Sequence, residues 1–244
     1  MGGGCRWTAA AILAAAQVGF CDNEARAASF QDRPTRLLLF SGVDLWRHGA
    51  FTYDGFSWRP EDEDESFVFK LLIGGGLYRY DAGLLGGATV TVQAYSGSAL
   101  IGWRTRRGVF DATLYLGPDV QQHILAPRDP SNRLEGTRAG VRGIFDLWTE
   151  PVDGMMLSLS LTASTVGSNY WTRIAGGWWL FDSFWSGPEI VLSGDDVYRR
   201  MAFGLHVTAL RFGRLEWGLA GGWAIDSDSR DGFYGRLGVT WAAR

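Results

Sequence analysis

From about Leu39 to the C-terminus the sequence alternates apolar residues with small or polar ones in short runs, and this period of two limits the fold more than any other feature. In the sharpest run, Leu215, Trp217, Leu219, Gly221, Trp223 and Ile225 share one parity. Glu216, Gly218, Ala220, Gly222, Ala224 and Asp226 share the other. Met155, Leu157, Leu159, Leu161 and Ala163 alternate in the same way with Met156, Ser158, Ser160, Thr162 and Ser164. Phe67, Phe69, Leu71 and Ile73 oppose Lys70, and Phe233, Leu237, Val239 and Trp241 oppose Arg236. Successive side chains of an extended chain point to opposite faces, so each run builds a strand with one apolar and one polar side. No window longer than about ten residues has helical periodicity, so the chain reads as all-β.

Turn residues divide the alternation into about twelve strands, at 35–47, 50–59, 67–80, 86–105, 109–121, 135–150, 154–166, 170–182, 185–193, 198–212, 214–226 and 232–243. A soluble sandwich also alternates, but its wetted face commonly carries Lys, Glu, Thr and Gln. Here the polar parity is Gly, Ala, Ser, Trp and Arg, and Lys70 is the only lysine among 23 basic residues. Glycine supplies 34 residues and aromatic residues 14% of the chain. Such a face suits an enclosed interior. An amphipathic sheet in lipid cannot leave edge N–H and C=O groups unpaired, so it must close. The expected fold is therefore an antiparallel up-and-down transmembrane β-barrel, preferred over a soluble sandwich or lipocalin-like barrel. An even strand count puts both termini at one end. The longest connection, 122–134, with Pro127 and Pro130, then faces outward, and the acidic run 61–65 falls in a turn at the opposite end. Gly97 is expected to mark a bulge in the long fourth strand. The chain ends Trp241-Ala242-Ala243-Arg244, without the terminal aromatic residue common in outer-membrane barrels.

The first residues read as an export signal. Arg6 supplies positive charge, residues 8–20 are apolar, and Ala25-Arg26-Ala27 offers small residues where a signal peptidase cuts. Residues 1–27 are thus expected to be a cleaved leader, with 28–244 a single outer-membrane barrel domain. The apolar run is too short for a membrane-spanning helix, which needs about 20 residues, and Phe20 is too bulky to precede a lipidated Cys21. Both cysteines, Cys5 and Cys21, lie in this leader, so the mature chain has no thiol for a disulfide or a metal. The full chain carries a formal charge of -3, which gives no pull toward nucleic acid.

The inward parity collects Asp44, Asp111, Asp146, Glu189 and Glu216 with Lys70, Arg104, Arg138, Arg142, Arg173, Arg200 and Arg236. Opposite charges interleaved in a narrow lumen pair and brace it, a reading preferred here to a polar path for a sugar or ion. Arg138 and Arg142, about 13 Å apart on one strand face, would suit an anionic ligand, but pairing with nearby carboxylates is the simpler expectation. Inward Trp46, Trp148, Trp171 and Trp179 would stack on sugars, or simply fill the barrel opposite glycine. His48 and His123 fall in predicted turns, and His206 is the one histidine in mid-strand. A Ser–His–acid set drawn from His206 with Ser158 or Ser160 has nothing in the sequence to fix its proximity. HExxH, P-loop, GxSxG and CxxC motifs are absent from the sequence. The acidic clusters at 61–65 and at Asp226, Asp228 and Asp231 read as solvated turns rather than metal sites. No catalytic residue, metal or cofactor is expected.

Particular strings go further than periodicity. Residues 42–49 (GVDLWRHG), 136–143 (GTRAGVRG) with Phe145-Asp146-Leu147-Trp148, and Tyr170-Trp171-Thr172-Arg173 form one set. Gly187-Pro188-Glu189, Gly194-Asp195-Asp196 and Tyr198-Arg199 complete it. In order and spacing, from about Leu39 to Leu237, these resemble the cellulose biosynthesis protein BcsS family. The resemblance implies a non-enzymatic outer-membrane accessory of cellulose production, whose partners would be membrane lipid, the cellulose chain and other components of the synthase. A small-solute porin-like channel and a soluble periplasmic glycan-binding β-protein are the alternatives. Asp44, Trp46, Arg138, Arg142, Asp146, Trp148, Trp171, Arg173 and Glu189 are nominated as lumen residues along a possible glycan path.

Overall fold

A computed structural model describes residues 37–59 and 64–243. The expected leader and its cut after Ala27 lie outside the described residues, as do residues 60–63 of the acidic turn. The described residues form twelve strands. These are β1 (Leu37–Trp46), β2 (Gly49–Trp58), β3 (Glu65–Ala82), β4 (Ala88–Arg107), β5 (Phe110–Ala126) and β6 (Gly136–Val152). β7 (Met155–Ser164), β8 (Tyr170–Leu180), β9 (Phe184–Gly194), β10 (Arg199–Phe212), β11 (Leu215–Asp226) and β12 (Asp231–Ala243) complete the set. Each strand pairs antiparallel with its sequence neighbours, and β1 closes on β12 from Leu37↔Ala243 to Trp46↔Tyr234. The result is a closed up-and-down barrel rather than a pair of stacked sheets.

Closure sorts the two parities as the alternation requires. Leu71, Ile73, Ile101, Leu114, Leu116, Ile174, Phe203 and Leu219 point out and stay exposed. Aromatic pairs flank this apolar band: Phe67 packs edge-on to Trp103 at 4.8 Å near one rim, and Trp223 on Phe233 at 4.8 Å near the other. Apolar belts edged by aromatic rings are the exterior of a barrel that crosses a bilayer. Inside, small residues make room for large ones. Tyr53 lies across its cross-strand partner Gly42, where a β-carbon would come within 2.0 Å of the phenol oxygen.

Three expectations are corrected. β5 runs to Ala126 rather than ending at Gln121, so His123 is a buried strand residue and not part of a turn. Gly97 keeps register with both Ile73 and Val120 and makes no bulge. The extra residue sits instead in β10 between Val207 and Leu210, where Ala209 takes a φ of 65°, and a second irregularity separates Thr149 from Val152 in β6.

The strands are of unequal length. β3 to β6 run 17 to 20 residues, and the others 10 to 14. Much of the excess lies at the end that carries the connections 83–87, 127–135, 165–169, 195–198 and 227–230, here called the loop end, although β3 also runs through 65–68 beyond β2 at the other end. β6 continues through residues 136–141 beyond the last residue paired to β7, Arg142, and β3 continues through 79–82 beyond its pairing with β2. The outward residues of this raised wall turn polar: Arg79, Asp81, Gln93, Thr91, Gln122 and Thr137. A one-sided palisade therefore stands above the apolar band.

Candidate functional site: the braced lumen and its covered mouth

Charged side chains cross the lumen as chords between strands. Asp44 on β1 holds Arg200 on β10, with Arg200 Nη2 donating to Oδ2 at 2.7 Å. Lys70 on β3 reaches Asp146 on β6 at 3.5 Å while lying over the Tyr115 ring at 4.3 Å. Glu189 on β9 accepts from Arg173 Nε on β8 at 2.7 Å and from the Tyr234 hydroxyl on β12 at 2.9 Å, and it also pairs with Arg236. Between neighbours, Arg104 donates to Asp111 at 2.8 Å. Burying two charges is costly unless they meet and their remaining donors and acceptors are satisfied. That requirement selects these paired geometries.

The tightest node was not foreseen. Asp119, fully buried on β5, accepts from Ser98 Oγ at 2.8 Å, Gln121 Nε2 at 2.6 Å, Ser164 Oγ at 2.6 Å and Arg142, whose Nη2 lies 3.0 Å away. It shares the inward parity of Asp111, and that parity was the signal that could have found it. Its place beside Pro118, near the expected strand end, concealed it.

Most nominated residues sit inside the barrel. Asp44, Arg142, Trp148, Trp171, Arg173 and Glu189 are buried. Asp146 also accepts from Ser160 Oγ at 3.2 Å. Trp46 stacks on Phe51 at 5.0 Å beneath the Arg200 guanidinium at 4.2 Å. Trp148 belongs to a separate aromatic group near the other end, edge-on to Trp185 at 6.1 Å, with Trp179 5.0 Å from Trp185. Arg138 is the exception. It keeps the parity of Arg142 but stands on the raised part of β6, exposed, donating to the Arg133 carbonyl at 2.7 Å. The structure thus does not bring Arg138 and Arg142 together as an anion clamp, and Arg138 is not a lumen residue. His206 has both ring nitrogens engaged, Nδ1 with Thr208 Oγ1 at 2.8 Å and Nε2 with the Gly176 carbonyl at 3.1 Å, while Ser158 accepts from Arg173. No triad is assembled there.

At the loop end, side chains close the mouth. Tyr78 on β3 donates to Asp195 Oδ2 at 2.8 Å. β3 and β9 stand six places apart in the ring of twelve, on opposite walls. At a strand spacing of about 4.8 Å and a tilt near 40° such a barrel is roughly 24 Å wide. A tyrosine and an aspartate span only about half of that, so the β9–β10 turn leans in over the opening. The Asp195 carboxylate also organises that turn, accepting from the Val197 and Tyr198 amides at 2.8 Å each. Burial pushes its carboxyl up from the ordinary range, against the hydrogen bonds that pull it down. Tyr198 packs on Tyr78 at 5.3 Å and accepts from Trp46 Nε1 at 3.1 Å.

A second strap comes from the β5–β6 loop. Tyr80 donates to Asp129 Oδ2 at 2.8 Å, and Asn132 Nδ2 donates to Tyr80 Oη at 3.0 Å. Leu134, buried, seats on Gly167 in the β7–β8 turn, where any β-carbon would strike it at 2.3 Å. Hydrogen bonds from Ser131 and Tyr80 hold Asp129 below the usual carboxylate range. Arg230 ties the β11–β12 turn across to β3, donating to Asp226 at 3.0 Å and to the Arg79 carbonyl at 2.5 Å. Among the described residues no group of three His, Cys, Asp or Glu side chains is placed to hold a metal ion.

Similarity to known structures is broad but distant. The chain resembles the KdgM porin at 10% identity with a TM-score of 0.44, over 85% of this chain and 99% of the other. It resembles the translocator domain of the autotransporter NalP from Neisseria meningitidis at 12% and 0.46, over 89% and 92%. The transport unit of the autotransporter AIDA-I from Escherichia coli matches at 11% and 0.48, over 87% and 92%. No curated protein matches in sequence. At the family level, residues 38–243 match the family described as cellulose biosynthesis protein BcsS.

Proposed function

The chain belongs to the cellulose biosynthesis protein BcsS family, and from that premise we propose that it is a non-enzymatic outer-membrane accessory of cellulose export or assembly. The observation that carries this reading is the covered mouth. A general diffusion pore needs a standing water path, whereas here Tyr78–Asp195 and Tyr80–Asp129 hold two loops across the opening. Charged chords brace the wall below them. Such a barrel suits a role at the membrane surface better than free passage of small solutes.

The enzymatic alternative has little support, since His206 is committed to Thr208 and Gly176. The short connections 108–109, 153–154 and 213–214 lie at the end that also carries Leu37 and Ala243. By the usual asymmetry of outer-membrane barrels, that end faces the periplasm and the palisade of β3 to β6 faces the medium.

Deleting the gene in a cellulose-producing host is expected to lower or disorganise extracellular cellulose, with the protein in the detergent-extracted outer-membrane fraction. Polymer unchanged in amount and fibril morphology would refute the proposal, and recovery in the soluble periplasmic fraction would refute the location.

A further inference from the structure

Tyr78 and Asp195 form part of the wall of a partly open chamber of about 40 Å³, room for about three waters. Trp46, Phe51, Tyr78, Tyr170 and Tyr198 line it, and aromatic carbon is a poor wall for water. His123 and Arg200 are among its lining residues, and each carries one buried polar atom without a hydrogen-bond partner among the described residues. One is Nδ1 of His123, a side chain only 3% exposed; the other is Nε of Arg200, whose Nη atoms are held by Asp44. A buried polar atom left unpaired is costly, so opening this wall to a ligand that supplies hydroxyls would give both atoms the partners they lack. Apolar walls with a few convergent polar groups are the general form of a small-molecule site. Arg200, the one arginine of the lining, is already paired with Asp44, so an anionic ligand is disfavoured and a neutral one favoured.

We propose that this chamber is a binding subsite for one unit of a neutral saccharide, uncovered when the Tyr78–Asp195 latch releases. A pyranose ring offers C–H faces to the aromatic side chains and hydroxyls to His123 and Arg200. It needs several times the volume present, and the latch explains how that volume appears. Asp195 and Tyr198 both ride on the β9–β10 turn, so lifting the turn removes two walls together. A β-1,4-linked glucan fits best, because its equatorial hydroxyls leave both ring faces apolar. That choice of sugar rests on the function proposed above; the existence of the site does not.

The test is a fluorescence titration of the purified full chain in detergent with cellotetraose, and with maltotetraose as the α-linked comparison. A site masked by a latch binds with an affinity reduced by the fraction of open molecules. Tyr78→Phe keeps the ring, removes the latch hydrogen bond, and is expected to tighten cellotetraose binding about tenfold. His123→Ala, added to it, is expected to weaken binding by about the same factor. Should Tyr78→Phe fail to fold, Asp195→Ala, which removes the acceptor, tests the same latch. The absence of saturable binding by either sugar in wild type and latch variants would overturn the site, as would binding indifferent to His123. Binding of maltotetraose alone would uphold the site and overturn its link to cellulose, whereas a normal cellulose phenotype on deletion would overturn the function and leave the site intact.

Discussion

Arg142 illustrates how much a single buried charge depends on its partner. Asp119→Ala would leave its guanidinium in the wall with no carboxylate, and breaking a buried pair in this way costs about 3 to 5 kcal/mol. The double variant Asp119→Ala/Arg142→Met removes the orphan as well and is expected to recover most of that loss, because a buried pair contributes little net stability over an apolar replacement. Urea unfolding of the barrel in detergent measures both. A double variant no more stable than Asp119→Ala alone would show that Ser98, Gln121 and Ser164 need the carboxylate as much as the arginine does. Residue by residue, parity in the sequence was a good guide to what faces the lumen, and it placed Asp44, Arg142, Arg173 and Glu189 among the charges that the structure pairs. It failed where orientation is not enclosure: Arg138 has the inward parity and pairs with Gln121 on β5, but it has no paired residue on the other side, since β7 has already ended.

At the level of elements, twelve strands and nearly all their bounds were legible because lipid on one side and a lumen on the other impose opposite demands on alternate residues. Where lipid stops, that contrast fades. Gln122-His123 reads as loop because the residues after Gln121 are polar on both parities, yet they extend β5 into the palisade, with Gln122 turned to water and Gln121 and His123 buried. The bulge at Ala209 was illegible for a different reason, since alanine carries no mark of a positive φ. β4 passes through both environments and so offers a depth gauge. Ile101, between Phe69 and Leu116, lies in the apolar band, and Thr91, between Arg79 and Ala126, lies above it. Both face outward. Ile101→Arg is expected to destabilise folding into lipid vesicles by about 2 to 4 kcal/mol, and Thr91→Arg by no more than about 1 kcal/mol. Equal costs would mean that the bilayer covers the palisade too.

For the molecule as a whole, the two straps over the mouth respond to acid in opposite senses. Asp195 has a raised carboxyl, so its contribution is complete at pH values below the unfolded value and declines as pH rises through the folded one. Asp129 has a lowered carboxyl, so its contribution is present above the unfolded value and is lost as pH falls through the folded one. Acidification from about pH 6 to about pH 3 is therefore expected to free the β5–β6 loop before the β9–β10 turn. Hydrogen exchange, corrected for its intrinsic pH dependence, should show the Ser131 amide losing protection while those of Val197 and Tyr198 keep theirs. Simultaneous loss at both would mean that the straps open as one body.

The unequal height of the strands gives the protein a front and a back within the plane of the membrane. A filament leaning on the rim would rest against β3 to β6 and depart over the low parapet formed by β7 to β12 and β1 and β2. Neighbouring copies that shared one compass heading would then lay such filaments side by side in parallel lanes.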